Sequence, residues 1–159
     1  GEGCGHIIPG TDIMLNNMLG EEDLNPEGFH RWKPNLRMSS MMSPTLLFHR
    51  NGSRVAAGSG GSNRIRTAIV QVLKNLTDHK MSVGEAVSAP RIHFERELLS
   101  VEPGFAEKVR EILAGIFPKN HFWEEKNLFF GGVHTAEWHP REGFSGQGDP
   151  RRHGVVLEV

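Results

Sequence analysis

Arg54-Val55-Ala56-Ala57-Gly58-Ser59-Gly60-Gly61-Ser62-Asn63-Arg64-Ile65 runs from an alternating stretch, through a turn of small residues, into a helical pattern, and this passage decides the fold class. Upstream, residues 45–49 and 54–57 flank Asn51-Gly52, whose glycine can supply the positive φ of a tight turn, so a β-hairpin is expected. Downstream, Ile65, Ala68, Ile69, Val72, Leu73 and Leu76 recur at helical spacing. They predict an amphipathic helix, with Asn63 available as its N-cap.

Further along, Ser82 and Glu85 have the spacing of a capping box, which predicts a short helix over 82–87 stopped by Pro90. Residues 91–95 and 98–102 read as strands. Phe105, Val109, Ile112, Leu113 and Ile116 predict a second amphipathic helix ending near Pro118. Strands are expected at 121–123 and within 128–138, a turn at 146–152, and a last extended run at 155–157. Toward the start, extended stretches at 6–8 and 12–15 are joined by Pro9-Gly10-Thr11, and 18–42 reads as a long ordered loop. Helices and hairpin-type strands alternate without regular βαβ spacing. The expected class is therefore α+β, layered on a mostly antiparallel sheet.

At 159 residues the chain is long enough for one domain, and 1–159 reads as a single-domain piece. Apolar residues at 37% and charged residues at 23% fit a globular chain rather than a disordered one. No stretch has the ~20 apolar residues of a membrane span. With 18 basic and 19 acidic residues there is no net field to recruit nucleic acid or an anionic surface. The single Cys4 excludes an internal disulfide framework and leaves the compartment open. Gly1-Glu2-Gly3-Cys4-Gly5-His6 has neither an apolar core nor a basic flank of a signal peptide, and the chain reads as a fragment or a processed product.

Chemistry can sit where Gly58-Ser59-Gly60-Gly61-Ser62 enters the helix. Small residues admit close approach of a substrate to the backbone, and the first helical N–H groups lack internal acceptors, so an anion or oxyanion can be held there. A plain connector is the commoner meaning of such a turn. Two nucleotide readings fail on residue identity. A P-loop needs Lys followed by Ser or Thr where Asn63-Arg64-Ile65 stands, and the dinucleotide fingerprint needs a third glycine at position 63. Arg37-Met38-Ser39-Ser40-Met41-Met42-Ser43-Pro44-Thr45 offers hydroxyls for a carboxylate, or turn caps with methionines filling a core gap. The run Glu21-Glu22-Asp23 could meet an ammonium group or be a solvated turn. His134 and His139 lack the spacing of a helical metal pair, and no metal or cofactor is expected. Cys4 has no neighbouring base in sequence, so it is not read as a nucleophile.

Taken in order, these motifs resemble the γ-glutamyltransferase family. The resemblance is carried by Gly3-x-Gly5, Pro9-Gly10-Thr11, Leu15-Asn16-Asn17, the Ser39 to Thr45 run, Gly58 to Arg64, Glu85-Ala86-Val87, Ala89-Pro90-Arg91-Ile92-His93 and Asp149-Pro150-Arg151-Arg152. It covers most of the chain and is thin over 105–145. It implies an N-terminal nucleophile hydrolase fold, an αββα sandwich of which this chain is the C-terminal part of the small, catalytic subunit. It also implies a precursor that cuts itself, a large-subunit partner from the same precursor, and a small-molecule γ-glutamyl substrate such as glutathione. The nucleophile of the family is an N-terminal threonine expected upstream of Gly1, with its own α-amine as base. On that expectation the fragment is inactive alone. A periplasmic or extracellular setting is compatible with the resemblance.

Carried over by position, the family's backbone oxyanion hole falls on Gly61 and Ser62 when Arg64 is aligned, the second being serine rather than glycine. The serine pair for the substrate α-carboxylate falls on Ser40 and Met41, or on Ser39 and Ser40 with one residue inserted. The acid for the α-amino group falls on Glu21, where aspartate is more usual, and the polar residue after the paired asparagines becomes Met18. A longer acid and a lost amide leave room for another γ-glutamyl compound or for a related acylase acting on a different amide. A non-catalytic anion-binding module is the reading from outside enzymology. A γ-glutamyl subunit separated from its partner is also expected to expose apolar surface and self-associate.

Overall fold

A computed structural model describes residues 3–157. The chain divides into two compact units, Gly1–Met42 and Ser43–Val159.

In the first unit the two extended stretches pair through an antiparallel bridge between Ile7 and Met14. Ile8 N–H donates to the Ile13 carbonyl at 2.9 Å and Leu15 N–H to that of His6 at 2.9 Å, while Pro9-Gly10-Thr11 turns the chain. The long loop contains two short 3-10 turns, Met18–Gly20 and Glu22–Leu24. Asn25 organises it. This buried amide donates to the carbonyls of Leu19 at 3.0 Å and Glu21 at 2.6 Å and accepts from Trp32 Nε1 at 2.9 Å. One side chain thereby meets backbone groups that no helix or sheet serves.

The second unit holds two sheets. In the first, β1 (Thr45–Phe48), β2 (Arg54–Gly58), β6 (His134–His139) and β7 (Gly143–Gln147) lie in the order β1-β2-β6-β7, all antiparallel. In the second, β3 (Ile92–Glu95) pairs antiparallel with β4 (Leu98–Val101), which pairs parallel with β5 (Asn120–Phe122). Helix α1 (Arg64–Thr77) buries Ile65, Ala68, Ile69, Val72 and Leu76, the stripe read from the sequence, and α2 (Val83–Ser88) buries Val83, Ala86 and Val87. Val55 and Ala57 on one face of the first sheet are buried as well, as are Phe130 and Val133 in the segment that leads into β6. The capping box of α2 is present, with Glu85 N–H donating to Ser82 Oγ and Ser82 N–H donating to Glu85 Oε2 at 2.9 Å. Among the described residues no helix is long and apolar enough to cross a membrane.

Several expectations change in detail. The hairpin connection is wider than a two-residue turn: Gly52 N–H donates to His49 at 3.0 Å and only Gly52, not Asn51, has positive φ. Asn51 instead accepts from the Ser53 N–H and hydroxyl, at 3.0 and 2.9 Å. The strand expected across 128–138 is a 3-10 turn, Leu128–Phe130, followed by β6, because Gly131 at φ +79 interrupts it. The region expected as a turn at 146–152 begins inside β7 and continues as a 3-10 turn, Pro150–Arg152, capped by Asp149. Residues 155–157 form no strand. Helix α3 (Glu107–Ile116) forms as expected but buries none of its residues.

The fold is pinned by four buried charges. Arg91 Nη2 donates to Asp149 Oδ2 at 2.6 Å and to the Val87 carbonyl at 3.0 Å, and its Nη1 donates to the Phe130 carbonyl at 3.2 Å. Arg151 grips both oxygens of Glu102 and donates also to Asp149, Val87 and Ala89. Asp149 accepts in addition from Val133 N–H at 2.7 Å. Two guanidiniums and two carboxylates cancel, and backbone carbonyls of Val87, Ala89 and Phe130 take further guanidinium donors, Arg91 Nε being left without a partner among the described residues; such pairing is the condition under which buried charge is tolerated. The Arg91 and Asp149-Pro150-Arg151 motifs are therefore structural. They lock α2, the segment after Leu128–Phe130 and the chain end after β7 around one another.

Candidate functional site

The glycine turn joins the central strand β2 to α1. Its shape is held by Ser59, a buried hydroxyl that donates to the Gly60 carbonyl at 3.1 Å and accepts from Gly132 N–H at 3.2 Å. Two successive residues then adopt left-handed backbone, Gly61 at φ +127 and Ser62 at φ +56. Glycine is at home there, whereas a serine carries a cost of roughly 1–2 kcal/mol. Arg64 N–H turns back to the Gly61 carbonyl at 3.2 Å and Ile65 N–H to that of Ser62 at 3.0 Å, starting the helix. The Gly61 N–H itself has no acceptor among the described residues.

Arg152 lies across this turn. A Cβ placed on Gly61 would stand 3.4 Å from Arg152 Nη2, one on Gly60 3.6 Å from its Cζ, and one on Gly132 2.5 Å from its Cδ. The glycines at 60, 61 and 132 thus make the channel in which the arginine rests. Its buried Nε has no hydrogen-bond partner among the described residues. An open backbone donor and an underused guanidinium share one corner at a helix N-terminus, which favours negative charge.

Around the first turn of α1, Asn63 does not cap the helix with its side chain, contrary to expectation. Its Nδ2 donates to Glu95 Oε1, while Arg64 donates Nε to the Phe129 carbonyl at 3.2 Å and stacks on the Phe129 ring at 5.0 Å. The Asn63 hydrogen bond outweighs the opposing effect of burial and, with lesser help from His93 and Arg64, holds the Glu95 carboxyl below its usual range.

Of the sequence-predicted residues, Gly61 and Ser62 lie adjacent in this turn. The others belong to the first unit. Met18 opens the first 3-10 turn and is half-buried, and Glu21 follows that turn with its carbonyl held by Asn25. Ser39 and Ser40 are exposed, and Ser40 Oγ accepts from Met42 N–H at 3.1 Å, a turn-capping bond. Sequence reasoning missed Ser59 and Arg152, although both stand in motifs it quoted. It also missed Glu95, which shares a strand face with His93 by the two-residue period.

This is an α+β protein in which a helix is entered from two left-handed residues, with an open main-chain donor at Gly61 and, among the described residues, an unpartnered Arg152 Nε beside it. Residues 2–159 match the family described as gamma-glutamyltranspeptidase, and the chain belongs to that family. It is 31% identical over 146 residues to the capsule biosynthesis protein CapD proenzyme of Bacillus anthracis, covering 90% of this chain and 26% of that protein. It is 28% identical over 152 residues to the acylase ACY 1 proenzyme of Pseudomonas sp. (strain SE83), covering 96% of this chain and 27% of that one. To the glutathione hydrolase proenzyme of Bacillus subtilis (strain 168) it is 28% identical over 159 residues, covering 99% and 27%. The chain thus spans about a quarter of the length of these relatives. The crystal structure of the Bacillus anthracis transpeptidase CapD superimposes with a TM-score of 0.74 at 26% identity, over 99% of this chain and 86% of that one. The fold is that of the N-terminal nucleophile hydrolases, as the resemblance implied.

Proposed function

We propose that this chain is the oxyanion and substrate-binding part of an enzyme that transfers or hydrolyses γ-glutamyl groups through an acyl-enzyme, and that it is inactive alone. The observation that carries this reading is the Gly61 N–H, open at a left-handed turn under Arg152. When a nucleophile adds to an amide carbonyl, the oxygen gains charge, and a prepositioned main-chain donor stabilises it by about 3 kcal/mol without reorganising. Gly61 and Ser62 supply the two donors, and Arg152 makes the corner electropositive. The nucleophile is a threonine in the remainder of the precursor, its α-amine taking the proton from the hydroxyl as the carbon–oxygen bond forms. The amine leaving group departs with that proton, and water or an acceptor amine then attacks the ester and frees the threonine hydroxyl.

In the first unit, Glu21 is proposed for the substrate ammonium and Ser40, with Ser39, for its carboxylate. The partner is the rest of the same precursor. The whole of 1–159 acts as one piece of the catalytic subunit.

The test is to express the whole precursor, identify the N-terminal residue of any small subunit by mass spectrometry, and measure release from a γ-glutamyl anilide. An N-terminal threonine with turnover supports the reading. An uncut chain without turnover replaces it with an anion-binding module. A second reading, an acylase on a different amide, is favoured by Met18 and the longer acid Glu21 in place of the family's usual pair, and cleavage of a non-glutamyl acyl amide in preference to the anilide would select it.

A further inference from the structure

Asn63 is the first residue after the left-handed turn, and it forgoes a side-chain capping bond to reach Glu95 instead. The second Glu95 oxygen lies 3.2 Å from His93 Nε2, and the other ring nitrogen, Nδ1, lies 2.9 Å from Thr67 Oγ1. The chain of bonds leaves α1 at residue 63, crosses two side chains of β3, and returns to α1 one turn later. His93, only 5% exposed, is the buried middle of this chain and meets the Phe129 ring edge-on. On the next turn Gln71 both donates to and accepts from the backbone of Ile92, at 2.9 Å each way. The first two turns of α1 are thus tied to β3 by Asn63 at the helix entry and by Thr67 and Gln71 of the helix itself.

These ties hold the residues that follow Ser62. Its left-handed backbone is disfavoured for a serine, so neighbours must hold it, and the covalently next residue is the one Glu95 grips. We propose that Glu95, acting through Asn63, is a positioning residue for the Gly61–Ser62 donors, an assignment that rests on the oxyanion reading above. Glu95 touches no reacting atom. It keeps the first turn of α1, and with it the two N–H groups, at the angle at which a carbonyl oxygen would be met.

The test uses the processed enzyme carrying Glu95→Ala, Glu95→Gln or Asn63→Ala, with kcat, KM and amide hydrogen exchange over residues 60–64 measured for each. Glu95→Ala and Asn63→Ala should lower kcat about tenfold, a fraction of the loss of a whole oxyanion donor, with KM within about twofold. Exchange at 60–64 should quicken in both. Glu95→Gln should recover most of kcat and normal exchange, because its amide still accepts from Asn63 and offers an N–H to the His93 ring. Equal losses in the Gln and Ala variants, or unchanged exchange in both Ala variants, overturn the proposal. So does quickened exchange with unchanged kcat. If the wild-type enzyme shows no γ-glutamyl turnover, the oxyanion reading fails and takes this role with it, while the exchange data separately show whether Glu95 holds the turn.

Discussion

Arg151 and Glu102 meet in a two-pronged ion pair with no exposed side-chain surface, Nε to Oε1 at 2.7 Å and Nη2 to Oε2 at 2.5 Å. Such a pair contributes modestly as formed but strongly when broken, since the surviving charge stays buried. Arg151→Met leaves Glu102 and Asp149 with one guanidinium between them. It should cost about 3–5 kcal/mol by urea unfolding. Arg151→Lys should lose much of this as well, because a single ammonium cannot replace both prongs together with the bonds to Val87 and Ala89.

Asp149 gives the network a pH dependence. Burial alone would raise its pKa, but the guanidiniums of Arg91 and Arg151 and the Arg151 N–H outweigh burial and hold it below the usual 3.8. A depressed carboxylate contributes stability that is complete above its unfolded value and is lost as pH falls through the folded one. Asp149→Asn should therefore be less stable than wild type near pH 7, with the gap narrowing below about pH 4. Urea midpoints at several pH values check this, and a gap that stays constant into acid would refute it.

At the turn, Gly61 and Ser62 should respond unequally. A Cβ at position 61 would lie 3.2 Å from Gly131 Cα at a φ of +127, so Gly61→Ala should cost about 1–3 kcal/mol and lower kcat far more than KM. Ser62→Gly relieves the left-handed strain, against which stand a looser unfolded chain and the loss of the serine side chain, so the opposing effects are of similar size. Its stability should stay within about 1 kcal/mol of wild type. Thermal melts and anilide kinetics of the two variants make the comparison.

The α1 stripe, the capping box of Ser82 and Glu85 and the hairpin about Gly52 were legible because each is a local pattern whose physics lies within a few residues. Asn63 shows where this stops. Its identity suits an N-cap, but Glu95, 32 positions away in sequence, takes its amide. The roles of Arg91, Glu102, Asp149 and Arg151 were hidden for the same reason, as the cluster closes over 58 positions between Arg91 and Asp149. In the candidate site, the glycine turn was readable from small residues before a helix. Arg152 was not, since nothing local says that a side chain after β7 will lie along Gly60, Gly61 and Gly132.

The far face of the first sheet carries the last prediction. Register places Leu46, Ala56, Ala136 and Gly146 in one row across the four strands and Phe48, Arg54, Trp138 and Phe144 in the next. Small residues floor the middle, so a concavity of about 1110 Å³ opens on this face, with Leu46 and Phe144 on its flanks and Val155 to Leu157 at its rim. Leu46 is 69% exposed and Phe144 82%, an apolar surface of a kind that isolated chains rarely leave open. Expressed by itself, the chain should gain mass with concentration in sedimentation equilibrium. Leu46→Glu with Phe144→Glu should return it to monomer at an unchanged melting temperature, because neither side chain has packing to lose. On the proposed reading of the chain as one part of a longer precursor, the same pair of changes there should weaken assembly or processing if the remainder docks on this face. A wild-type chain that stays monomeric at every concentration would mean that this surface is content in water and that the rest of the precursor docks elsewhere.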